Sequence, residues 1–436
     1  MNRLVLAIAV AAIAYAQSAG AATELQFWHS MSGAAGEEVN ALAEKFNALQ
    51  HAYRVVPEFK GSDDASLAAG IAAFSTGKAP HILQVSDVGT AAMMDAKRSV
   101  LPLYRLMAEA GVKFDPRVYM PAVAAIYSDS HGKLMSLPFD SSTAVFYYNK
   151  DAFRRAGVDP NRAPRTWFDV QAAALKLRES ETTPCAYTTD WQSWVLVENL
   201  SAWHNEPIAT RDNGFGGGDA KLNFNAELLV RHIGLMSSWM KSGLFTYAGR
   251  GSGGETKFAH GECAMVTSSS SAYADIARTA KFEFAVSPLP YYDEFRGAPF
   301  NTIVRGASLW VPAGKKRVEY KGVAEFFSFL SRPDVQADWY RQTGYLPNTV
   351  AAYDLIKSRG DFDAHPGSDV AVKELSRKTS VYSRGLRLGH FARIRALIDE
   401  ELEAVWSQKK TPKEALDSAV ERGNALLRRI ERDRKS

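Results

Sequence analysis

Glu24-Leu25-Gln26-Phe27-Trp28 alternates polar and apolar side chains with the period of a strand. The segment from Glu37 to Leu49 then carries Val39, Leu42, Ala43, Phe46 and Leu49 at helical spacing. Tyr53 to Phe59 reads as a second strand, Ala65 to Phe74 as a second helix, and His81-Ile82-Leu83-Gln84-Val85 as a short β-rich run before Asp87. Strand, helix, strand, helix, strand in so short a span predicts an α/β unit whose parallel strands are joined by crossover helices.

Upstream, Met1-Asn2-Arg3 and the apolar run Leu4 to Ala16 lead to Gln17-Ser18-Ala19-Gly20-Ala21. The small residues at 19 and 21 suit a signal peptidase, so residues 1–21 read as an export leader cleaved after Ala21. That run is too short to span a bilayer comfortably, and no other stretch approaches about 18 uninterrupted apolar residues. The expectation is a soluble protein outside the cytoplasm. Residue 22 is Ala rather than Cys, so no lipid anchor is expected and a periplasmic location is favoured.

Downstream, a second α/β region starts near Phe139. Phe146-Tyr147-Tyr148 is strand-like, Trp167 to Leu177 and Asn225 to Lys241 are helical, and Glu262 to Val266 is a strand entering the polar run Thr267 to Ser271. Glu283 to Pro290 and Ala307 to Pro312 read as strands returning to the first sheet. From Tyr320 the pattern is mostly helical, clearest over Phe391 to Trp406 and Pro412 to Ile430. Gly214-Phe215-Gly216-Gly217-Gly218 and Gly251 to Gly254 read as flexible surface loops. Residues 22–436 exceed what one core usually holds, so two lobes are expected. The first would comprise 22–138 plus 289–335, the second 139–288 plus 336–436. Ligands of open α/β sheets bind where strand C-termini meet helix N-termini, which directs attention to the cleft between lobes.

Composition narrows the function. Hydrophobic residues make up 46% and charged residues 23%, ordinary for a globular chain, and the formal charge of +4 is too slight to argue for nucleic acid. The two cysteines, Cys185 and Cys263, suit either a disulfide in an oxidising compartment or two unlinked buried thiols. There is no CxxC, HExxH, GxSxG or P-loop, so neither a metal site nor a known catalytic constellation is predicted, and no cofactor is called for.

Three groups of residues carry binding chemistry. Thr267-Ser268-Ser269-Ser270-Ser271 stands between a strand and a helix predicted over Ala272 to Ala280, where hydroxyls and free N–H groups suit an anion or simply cap the helix. Asp140-Ser141-Ser142-Thr143 after Pro138 has the composition of a turn that caps or hydrogen-bonds a ligand. Gly385-Leu386-Arg387-Leu388-Gly389 leads into a helix bearing Arg393 and Arg395, and an arginine in a cleft clamps phosphate, whereas one on the surface forms salt bridges. Trp191 and Trp194 offer two indoles for stacking or, equally, for a core. Tyr345 is flanked by turn residues that could project its hydroxyl into a cleft. Asp63, Asp64 and Asp87 are carboxylates that suit helix caps or hydroxyl acceptors better than a catalytic pair.

From about Leu25 to about Arg429 the chain resembles the periplasmic sn-glycerol-3-phosphate-binding proteins of ABC importers, within the extracellular solute-binding proteins that include maltose receptors. The resemblance is carried by Phe27-Trp28-His29-Ser30-Met31, Ala69 to Phe74, Ile82 to Val85, Tyr147 to Phe153, Gly306-Ala307-Ser308-Leu309-Trp310, Thr343-Gly344-Tyr345-Leu346-Pro347 and Gly385 to Gly389. It implies a type II periplasmic-binding-protein fold, α/β, with two lobes that each hold a mostly parallel sheet flanked by helices.

By position it implies that Ser142 and Ser269 donate hydroxyls, Gly306 its N–H and Tyr345 a phenol, that Arg395 binds the phosphate, and that Trp191 and Trp194 line the pocket. Asp87 would hold the glycerol hydroxyls in place of the family's Glu. Two departures stand out: Asp63 where the family often has tyrosine, and Arg305 where glycine is usual. The implied activity is capture of sn-glycerol 3-phosphate, without catalysis, for delivery to permease subunits in the inner membrane driven by a cytoplasmic ATPase. Glycerophosphocholine is the nearest alternative ligand, its ammonium held by Trp191 or Trp194 and by Asp63. An oligosaccharide receptor would share the fold without needing Arg395, and a secreted phosphodiesterase or glycosidase would need paired carboxylates or a metal in the cleft.

Overall fold

β1 (Thr23–His29) buries Leu25 and Phe27 on one face, as its alternation predicts. The computed structural model describes residues 22–435 except 97, 296 and 378, so the expected leader, residues 1–21, lies outside the described residues. Helix Gly33–Leu49 turns Val39, Leu42, Ala43 and Phe46 inward and returns the chain to β2 (Tyr53–Phe59), parallel to β1. Helix Asp63–Ser75 then leads to β3 (Ile82–Ser86), whose buried run Ile82-Leu83-Gln84-Val85 makes it the centre of the sheet. Gly70 lets this helix lie close to β3, since a Cβ there would stand 2.5 Å from Leu83 Cδ2.

β4 (Leu137–Ser142) ends the first sheet and β5 (Ala144–Asn149) begins the second, so the chain passes between lobes at Thr143. β6 (Cys185–Thr189), β7 (Cys263–Ser269) and β8 (Phe284–Ser287) complete the second sheet in the order β6-β7-β5-β8. β9 (Arg305–Trp310) returns to the first sheet, giving the order β2-β1-β3-β9-β4. Helix Arg317–Leu330 packs on this sheet, where Phe326 meets Phe27 and Phe46 edge-on. Helices Phe391–Trp406 and Pro412–Lys435 close the second core, with Ile394, Ile398, Leu402 and Leu416 packed among Ile233, Met236 and Trp239.

The α/β arrangement in two lobes stands, with several local corrections. Most strands of each sheet point one way, with one reversed strand in each: β9 runs antiparallel to both β3 and β4, and β5 antiparallel to both β7 and β8. The crossing strands, unlike those of the opening βαβ unit, enter each sheet from the other lobe. β8 joins the second sheet and not the first, because it pairs with β5. A division at 138/139 would cut β4, and one at 335/336 would cut helix Pro333–Thr343, which sends Val335 and Trp339 into the core beneath the first sheet.

Asp140-Ser141-Ser142 is not a turn but a fully buried strand, with a register irregularity between Pro138 and Asp140 where proline has no N–H to offer the ladder. The serine run continues β7 through Ser269, and the helix after it spans only Tyr273–Thr279. Neither glycine-rich segment is a free loop. Gly254 opens helix Gly253–Ala259 by donating its N–H to Asp190 Oδ1 at 2.6 Å, and Phe215 lies between the guanidinium groups of Arg384 and Arg387. Cys185 and Cys263 face each other in register across β6 and β7 and are joined by a disulfide. Among the described residues, no helix is long and apolar enough to cross a membrane.

Candidate functional site

The edges of the two sheets meet around a cavity of about 590 Å³. Its walls come from chain segments far apart in sequence. Ser30 follows β1, Asp63 opens the second helix, Gln84 and Asp87 end β3, Asp140 and Ser142 lie on β4, and Arg305 and Gly306 begin β9. Trp191, Glu255, Ser269 and Ser271 come from the second lobe, and Tyr345 from the turn after helix Pro333–Thr343. Both lobes therefore contribute polar groups to one cleft.

Backbone packing fixes this polar wall. Gly306 has φ +150°, and a Cβ at that position would lie 2.0 Å from the Asp140 carbonyl oxygen, so only glycine fits where β9 crosses β4. Asp140 accepts from the Ala307 N–H at 2.8 Å and from Gln84 Nε2 at 2.9 Å. Burial, with the Asp63 charge adding to it, pushes its carboxyl up to about 7 despite those bonds. Glu255, which accepts from Ser268 at 3.1 Å, is pushed up to about 7 by burial and by the neighbouring Asp190 charge. Ser269 Oγ accepts from the Ser271 N–H at 3.2 Å and pairs with Ser271 Oγ at 2.8 Å, so the capping role and the cavity-facing role coexist in one side chain. Tyr345 stacks on Trp339 with ring centroids 6.0 Å apart, and burial raises its phenol well above the usual range.

Of the residues named from sequence, Asp63, Asp87, Ser142, Trp191, Ser269, Gly306 and Tyr345 all line the cavity. Trp191 adopts φ +45°, a left-handed conformation that costs a bulky side chain of order 1–3 kcal/mol and turns its indole to the opening. Trp194 does not reach the wall: it is 1% exposed and belongs to the second core, because the π-helical turn Ser193–Asn199 rotates it inward. Arg393 is exposed.

Arg395 is also absent from the cavity lining. Its Nε and Nη2 donate to the two oxygens of Glu198 at 2.6 and 2.7 Å, and Nη2 donates again to Asp87 Oδ2 at 2.8 Å. Burial opposes its charge, but the Asp87 and Glu198 carboxylates more than offset that and raise its pKa. Burial pushes Glu198 up, and the Arg395 charge acts against it. The expected phosphate clamp is thus occupied by two carboxylates, one from each lobe.

Sequence reasoning missed the partners that matter. Glu198 interrupts the apolar run Val195-Leu196-Val197, and a carboxylate placed so deep is either paired with a cation or neutral. Arg305, read as a departure, is half-buried in the cavity wall with its guanidinium 3.8 Å above the Trp191 ring and 5.7 Å from that of Trp194. A charge opening the otherwise apolar strand that faces Ser142 was the available signal. Among the described residues no cluster of three His, Cys, Asp or Glu side chains is placed to hold a metal ion.

The sequence family described as bacterial extracellular solute-binding protein matches residues 32–337. The sn-glycerol-3-phosphate-binding periplasmic protein UgpB of Yersinia pestis bv. Antiqua (strain Antiqua) is 50% identical over 425 residues, 97% of this chain and 96% of that one. Its counterpart in Escherichia coli O1:K1 / APEC is 48% identical over 433 residues, 99% and 98% of the two chains. Among solved structures, UgpB from Mycobacterium tuberculosis in complex with glycerophosphocholine superposes with a TM-score of 0.75 at 21% identity, covering 94% of this chain and 99% of the other. The sugar-binding protein MalE from Xanthomonas citri gives 0.75 at 18% identity, covering 95% and 100%.

Proposed function

Because the chain belongs to the bacterial extracellular solute-binding protein family, we propose that it is the periplasmic receptor of an ABC importer for sn-glycerol 3-phosphate and glycerophosphodiesters. The observation that carries this reading is convergence. Asp63, Asp87, Ser142, Ser269, Gly306 and Tyr345 arise from separate segments of the chain and face one cavity between lobes. Hydroxyls of Ser142 and Ser269 and the Gly306 N–H are donors for phosphate oxygens, and Asp87 and Tyr345 suit glycerol hydroxyls. A ligand touching both walls has more contacts when the lobes are shut, and that difference in free energy drives closure.

In this reading residues 1–21 are removed on export, the mature chain is not lipid-anchored, and the closed form docks on inner-membrane permease subunits coupled to a cytoplasmic ATPase. The role is binding without turnover. The test is calorimetric titration of the purified mature chain with sn-glycerol 3-phosphate, glycerophosphocholine and maltose, with the mixtures checked for hydrolysis. Heat with either phosphate compound and none with maltose is expected. Binding of maltose alone, or release of product from the diester, would overturn the proposal.

A further inference from the structure

On the cavity wall carboxylates outnumber cations, and the two arginines there are held differently. Asp87 pairs with Arg395, and Arg278, also on the wall, pairs with Asp275. Asp63 is held by the Ser30 hydroxyl at 2.5 Å, and Asp140 by Gln84 and the Ala307 N–H. Arg305 is the one cation lining the cavity that makes no ion pair or side-chain hydrogen bond among the described residues. Its guanidinium lies on the face of Trp191, which fixes the plane of the group while leaving its N–H edge open. An arginine held in that way presents two parallel donors to an oxyanion without ordering a loose side chain on binding.

We propose that Arg305, rather than Arg395, takes the ligand's phosphate, and that this single unpaired guanidinium matches the cavity to a phosphate of one negative charge, the phosphodiester, over the doubly charged monoester. The inference rests on the function proposed above and specifies the residue and the charge class. Arg395 cannot take that part without giving up Glu198, which is fully buried and makes no other ion pair among the described residues. A second negative charge on the phosphate would face Asp63 and Asp87 with no cation left to offset it.

The test is calorimetry at pH 7.5 on the full mature chain with glycerophosphoglycerol, a diester whose head group carries no cation, and with sn-glycerol 3-phosphate. Wild type should bind the diester at least about tenfold more tightly. Arg305→Met, which keeps an aliphatic chain over Trp191, should weaken diester binding by roughly 10- to 100-fold, the range for loss of a charge-assisted hydrogen-bonded contact, with the melting temperature unchanged. Asp63→Asn should raise monoester affinity more than diester affinity and so narrow the ratio. Unchanged diester affinity in Arg305→Met, in a wild type that binds, would overturn this inference alone and leave the proposed function standing. Tighter monoester binding by wild type, with a ratio that Asp63→Asn leaves in place, would overturn the charge preference. A wild type that binds neither compound would remove the proposed function and this inference with it.

Discussion

Replacing Arg395 with Ala should destabilise the protein whether or not a ligand is present. Glu198 has a fully buried side chain and Arg395 is 12% exposed, so their bidentate pair is shielded from solvent. Removing the cation leaves an ionised carboxylate in a low-dielectric core. Breaking such a pair from one side costs about 3–5 kcal/mol. For a unit the size of one lobe this lowers Tm by roughly 6–20 °C, at 2–4 °C per kcal/mol. The loss should be largely recovered in Arg395→Met/Glu198→Met, where both charges are gone and the volume is kept, and the coupling energy from the double-mutant cycle should exceed about 2 kcal/mol. Scanning calorimetry of the four proteins without ligand is the assay. If Arg395→Ala melts within about 2 °C of wild type, well short of that predicted fall, the pair is not structural. Arg395 would then be free to serve a phosphate, and the division of labour between the two arginines would be refuted.

Other perturbations follow from the same geometry. Burial pushes Glu374 up to about 8, so it contributes stability that is fully present below the unfolded carboxylate range near pH 4 and is lost as pH rises through 8. Glu374→Gln should therefore flatten the fall in Tm measured between pH 6 and 9, and an unchanged slope would argue against a buried acid there. Gly306→Ala, whose new methyl would meet the Asp140 carbonyl at 2.0 Å, should shift β9 against β4 and abolish ligand binding by calorimetry even where the chain still folds; retained affinity would count against the tight crossing. Replacing both Cys185 and Cys263 with Ala opens a loop with a sequence separation of 78. Urea unfolding should then show a loss of about 4–5 kcal/mol in the chain-entropy picture, and a loss below 1 kcal/mol would place the stability of β6 and β7 elsewhere.

Much of the fold could be read from periodicity alone. β1, helix Gly33–Leu49 and helix Phe391–Trp406 follow from side-chain spacing that leaves few alternatives, because each buries one clear apolar face. Strand direction was not legible. β8 and β9 both read as short apolar runs, and which sheet each joins depends on long crossovers that no local pattern encodes. At the site, Ser142, Ser269 and Gly306 were legible as residues at strand ends, and all three line the cavity. Arg395 and Trp194 were misplaced for a common reason: residue type indicates what a group can do, while partners decide what it does. A guanidinium beside a phosphate and one beside Glu198 look alike in sequence. Conversely, the place of Arg305 over Trp191, a residue far from it in the chain, follows only from the course of β9.

A crystal structure of the mature chain with a glycerophosphodiester bound is the most direct test of phosphate capture between the lobes. It should show the lobes closed, the phosphorus within contact distance of the Arg305 guanidinium and the Ser142, Ser269 and Gly306 donors, and the Arg395–Glu198 pair intact. Ligand density outside the interlobe cavity, or a phosphate seated on an Arg395 that has released Glu198, would contradict it.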